Sequence, residues 1–100
     1  MAVHRLTLLP ALRHLHHAGP VLPQYGVLWN VRHLTDKDSA VEIQLLQLLR
    51  QYYGQEYNPL CPTAYDCVQP KDPTGWQSPR RRALLNWLIH TLETEQQQND

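Results

Sequence analysis

Apolar residues recur at helical spacing in two well-separated stretches of the chain. Val41, Leu45, Leu48, Leu49 and Tyr52 fall at i, i+4, i+7, i+8 and i+11, which is one face of a helix. The segment before them, Thr35-Asp36-Lys37-Asp38-Ser39, is rich in capping residues. Ser39 with Glu42 three positions on has the capping-box form, and Gly54 supplies a stop. The pattern predicts a helix over 39–53. Leu84, Leu85, Leu88 and Leu92 form a second such face, widened by Trp87 and Ile89, in a helix from Pro79 to about Thr94. Ser78 can cap it, and Pro79 suits its first position because the ring presets φ and the missing N–H would have had no intrahelical partner.

Two weaker patterns lie nearer the start. Leu8, Leu9, Leu12 and Leu15 predict a short helix capped by Thr7, with Pro10 tolerated in its opening turn and Gly19-Pro20 ending it. In Val27-Leu28-Trp29-Asn30-Val31-Arg32-His33, the odd-numbered apolar residues alternate with the even-numbered ones as in a strand. Leu28 with Val31 and Arg32 also suits a helical turn. A lone strand needs a partner, and no second strand is evident, so the helix is preferred.

Between Gln55 and Gln77, four prolines (Pro59, Pro62, Pro70 and Pro73) exclude a regular helix or inner strand over most of the length. Loops longer than roughly 12–15 residues are uncommon in compact domains and often functional. Tyr57, Leu60, Tyr65, Val68 and Trp76 can equally pin this one across a core, which is the reading favoured here. The fold expected is mainly α, a small single domain of three to four helices with a long Pro-rich loop. Its body is 1–94, followed by a polar, flexible tail at 95–100. The leucine faces of 39–53 and 79–94 are expected to pack on each other. The alternative is an α+β form with a short strand or hairpin near 27–33.

Composition adds bounds. One hundred residues suffice for one modest core, and with no Phe present leucine must fill most of it. Apolar runs are far shorter than the roughly 20 residues a membrane-spanning helix needs, so no membrane partner is expected. Two cysteines make no disulfide framework, and a cytoplasmic address follows. The first twenty residues lack the Ser enrichment of a transit peptide, and Pro10, Arg13 and the histidines interrupt any signal-peptide core.

Net charge is zero, but the charges come in blocks. Residues 1–33 carry Arg5, Arg13 and Arg32 with no acid, and five of the six histidines. Residues 34–79 hold twice as many acids as bases, Arg80, Arg81 and Arg82 follow, and Glu93, Glu95 and Asp100 close the chain. Blocks that cancel in this way are expected to pair within the fold, in preference to pooling their cations on one face.

Chemistry-bearing clusters are few. His14 and His17 are i,i+3 neighbours close enough to share a metal, but zinc requires further ligands, and histidines in the last turn of a helix already suit its negative end. Cys61 and Cys67, with five residues between them, do not match the usual zinc or redox spacings; small-residue packing is the simpler reading, with a disulfide as the alternative. Four isolated glycines cannot build a phosphate-cradling loop, and no GxSxG is present. No cofactor, metal or catalytic residue is predicted, and the chain is read as not an enzyme.

Arg80, Arg81 and Arg82 are the anomaly. They occupy the first turn of a helix, where acidic residues are normally favoured by roughly 0.3–1 kcal/mol each. Guanidinium forks bind carboxylates and phosphates two-pointedly, and Trp76 lies close by in sequence. The candidate binding residues are therefore Arg80, Arg81, Arg82 and Trp76. The expected role is a non-enzymatic protein–protein interaction module (an adaptor, inhibitor or accessory factor) that recognises an acidic surface. The rival is a nucleic-acid binder using the same arginines with Arg13, Arg32 and the histidines, although a DNA-binding module usually has a pI above about 9. A homo-oligomer is compatible with either.

Overall fold

The computed structural model describes residues 2–23, 25–54, 76 and 79–98, with side chains from Thr7 to Gln97. Among them are four helices and no strand: α1 (Ala2–Ala18), α2 (Val27–Leu34), α3 (Ser39–Tyr53) and α4 (Pro79–Gln98). The mainly helical class is as expected, and the strand near 27–33 does not form. Val27, Leu28 and Val31 are all buried in α2, at spacings that only a helical turn brings to one side.

The central element is α1, which packs on α4, on α3 and on α2, while α2 also packs on α3. The expected direct pairing of the α3 and α4 leucine faces is thus replaced by α1, whose Leu8, Leu9, Leu12 and Leu15 are buried in the same core as Leu45, Leu48, Leu49, Leu84, Leu85, Leu88 and Leu92. Those leucine faces are the ones the periodicity marks. Tyr52 is the exception: it sits at the rim of α3, half exposed, its ring 5.1 Å from that of Trp87 on α4.

Three helix ends differ from expectation. Thr7 does not cap α1, which begins at Ala2 and carries Pro10 in its interior. There the ring denies the Leu6 carbonyl its helical donor; Pro10 is exposed, so water can serve that carbonyl instead. The N-cap of α3 is Asp38 rather than Ser39: its carboxylate accepts from the Ala40 and Val41 N–H groups at 2.9 and 3.4 Å. The last helix continues to Gln98, past the predicted end near Thr94. The span of α3, Ser39–Tyr53, is otherwise as predicted, with Gly54 ending it at φ +100°.

Between α2 and α3 the chain makes a Schellman turn. Lys37 N–H donates to the Arg32 carbonyl at 2.7 Å and Asp36 N–H to the His33 carbonyl at 3.4 Å. Asp36 and Lys37 both hold positive φ, 54° and 58°, without a glycine.

Candidate functional site

One end of the molecule gathers the last turn of α1, the connecting segment to α2, and the first turn of α4. The buried side chain of Asn30 holds it from inside. Asn30 is 0% exposed; its Oδ1 accepts from the Leu22 N–H at 2.8 Å, and its Nδ2 faces the carbonyls of Leu22, Tyr25 and Gly26 at 3.0, 3.3 and 2.8 Å. A buried amide this fully satisfied fixes the path of the backbone it bonds. Tyr25 N–H to the Leu22 carbonyl, 3.1 Å, adds a turn within the same segment.

A second anchor comes from outside. Trp76 is buried in the core, and its indole N–H donates to the Pro23 carbonyl at 3.3 Å. Arg81, only 5% exposed, lays its guanidinium 4.6 Å from the Trp76 ring centroid. These two predicted site residues therefore meet, as supports of the 22–26 segment. The expectation that the Pro-rich stretch is pinned on the core holds at Trp76. Its other predicted pins, both cysteines and the Ser78 cap lie outside the described residues.

Arg82 accounts for part of the electrostatic anomaly. Its Nη1 donates to the His16 carbonyl at 3.0 Å, one of the last carbonyls of α1 that lack an intrahelical donor. A cation unsuited to the positive end of its own helix is thus placed at the negative end of a neighbour. The Arg82 Nη2 also lies 3.2 Å from Nε2 of the His16 ring, which in turn lies 2.8 Å from Asn86 Oδ1. Arg80 is exposed on the first turn.

Arg13 and Arg32 have acidic partners of their own. Arg13 pairs with Glu93 at 2.6 Å, joining the first charge block to the last, and Arg32 pairs with Glu42 at 3.3 Å. Among the described residues, no group of three or more His, Cys, Asp or Glu could hold a metal ion, and no helix is long and apolar enough to cross a membrane.

The anchored segment presents apolar surface. Tyr25 and Trp29 are 43% and 40% exposed, with ring centroids 5.9 Å apart, and Val21 is exposed beside them in sequence. The Arg32 guanidinium lies 4.5 Å from the Trp29 ring centroid. Sequence reasoning passed over Asn30 and Trp29 because both fell inside a stretch read only for its period. A signal was available in the asparagine, a polar residue set among Val27, Leu28 and Val31. The chain matches no family model, no curated protein and no solved structure.

Proposed function

We propose that the protein is a non-enzymatic, cytoplasmic protein–protein interaction module that docks an acidic partner protein on the end of the molecule formed by α1, α2 and α4. The observation that carries this reading is the Tyr25–Trp29 pair, exposed on a segment tied down by Asn30 and Trp76. Binding hot spots are enriched in Trp, Tyr and Arg, and a surface rigid before binding loses less entropy when the partner arrives. Arg80 supplies exposed positive charge on the α4 turn that Trp76 and Arg81 connect to this segment. Nucleic acid is disfavoured because Arg13 and Arg32, which that reading needs, are neutralised by Glu93 and Glu42.

The test is capture of a partner from cells by the full chain and by three variants. Trp29→Ala and Arg80→Glu should lose the dominant captured protein, while Ile43→Ala, an exposed apolar position on α3, should retain it. Equal recovery by all four proteins would remove the proposed surface.

A further inference from the structure

The ring of His16 stands between two groups that cannot both be served by one nitrogen in both of its charge states. Nε2 has a single in-plane position, holding either a lone pair or a proton. With the lone pair it accepts from Arg82 Nη2 at 3.2 Å; with the proton it donates to Asn86 Oδ1 at 2.8 Å. Asn86 can partner either state, because turning its amide about offers N–H in place of the carbonyl oxygen. Arg82 cannot, since a guanidinium only donates.

From this we infer that protonation of His16 is a switch that releases Arg82 from the ring. A proton taken from solvent at Nε2 becomes a donor to Asn86, and the new imidazolium repels the guanidinium beside it. Arg82 keeps its Nη1 bond to the His16 carbonyl but loses its ring acceptor, so its outer N–H groups turn to solvent next to the turn that carries exposed Arg80. The inference rests on the acidic-partner reading and regulates the same site: acidification arms a second arginine for the partner's carboxylates.

Among the described residues, the groups that hydrogen-bond Arg82 are the ring and the carbonyl of His16. On α1 its charged or titratable neighbours are Arg13, tied to Glu93, and exposed His14 and His17, the latter with its ring edge-on at 5.4 Å. The charged or titratable side chains of α4 are Arg80, Arg81, Arg82, His90, Glu93 and Glu95, of which Arg82 lies 3.2 Å from the His16 ring. The charged or basic side chains of α2 and α3, which also pack on α1, are Arg32, His33, Glu42 and Arg50; none of the four makes a hydrogen bond or ion pair with His16.

Nitrogen-detected NMR of the full chain from pH 8 to 5.5, spanning much of the range over which imidazoles change charge, tests the exchange. At pH 8 His16 should be the Nδ1–H tautomer. The Arg82 guanidinium resonances should titrate with it, a response lost in His16→Gln and kept in His17→Gln and His90→Gln. An Nε2–H ring at pH 8, or an Arg82 response that survives His16→Gln, overturns the inference. A hexa-aspartate peptide then probes the consequence at fixed salt. Acidification should raise wild-type affinity by roughly two- to fivefold more than that of His16→Gln or Arg82→Ala, the equivalent of one exposed ion pair. Equal rises in all three contradict it. Binding at neither pH sinks the acidic-partner reading, whereas binding without the NMR exchange sinks this inference alone.

Discussion

Replacing Asn30 tests how the anchored segment is built. In Asn30→Ala the Leu22 N–H loses its 2.8 Å acceptor, and the Leu22 and Tyr25 carbonyls lose their amide donor. The Gly26 and Leu22 carbonyls still receive the Asn30 and Tyr25 backbone N–H groups, at 3.2 and 3.1 Å, so neither is orphaned; the Leu22 N–H and the Tyr25 carbonyl are. Each buried polar group left unpaired costs about 1–3 kcal/mol. Leu22 is only partly buried and water can serve some of what is lost, so a total of about 2–4 kcal/mol is expected. That is a large share of the roughly 5–15 kcal/mol that holds a small domain folded. Asn30→Asp should be worse near neutral pH despite its near-identical shape, because it puts a carboxylate oxygen against three carbonyls where an N–H₂ group stood. Burial among carbonyls favours the protonated acid, so the folded-state pKa of that aspartate lies above its unfolded value. Stability is then recovered on acidification and lost as pH rises. Urea unfolding followed by circular dichroism at neutral and acidic pH measures both variants. An alanine cost below about 0.5 kcal/mol, the size of an ordinary surface change, would refute the reasoning, as would an aspartate no worse than alanine at neutral pH.

Other consequences follow from single backbone positions. Pro10 sits inside α1, and proline is about 3 kcal/mol less favourable than alanine in a helix interior, so Pro10→Ala should stabilise the fold by about 1–3 kcal/mol in the same titration. A loss of stability would mean that the first turns of α1 are not helical. Lys37→Gly relieves a left-handed residue that has a Cβ, and about 0.5–1 kcal/mol of stabilisation is expected, after the entropy glycine loses on folding, as a higher thermal midpoint. Asp38→Ala removes the α3 cap and should cost about 1 kcal/mol, whereas Ser39→Ala should cost much less, the reverse of what a Ser39 cap requires.

The helices that were legible in sequence were those with long, repetitive evidence. Five apolar residues at helical spacing, followed by Gly54, set α3 from Ser39 to Tyr53, and the α4 leucines are buried as their period demands. The eight residues of α2 were too few to separate a period of two from one of 3.6; Asn30 decides the matter only through carbonyls it reaches in three dimensions. Local signals misled at α1, where Thr7 before Leu8 and Pro10 imitates a helix start and conceals the preceding residues. Which leucine face meets which was not legible, because an apolar stripe does not encode its partner. For the same reason the arginine cluster could be seen but not resolved: Arg82 is engaged by a main-chain carbonyl and Arg81 by an indole ring, and neither leaves a trace in the pattern of charges.

The most direct test of the docking surface is a backbone NMR map of the labelled chain, titrated with the protein that it captures from cells. Shifts concentrated at Val21–Trp29 and Arg80, with the Ile43 side of α3 unmoved, are the predicted result. Shifts centred on Ile43, with Tyr25, Trp29 and Arg80 unchanged, would contradict it.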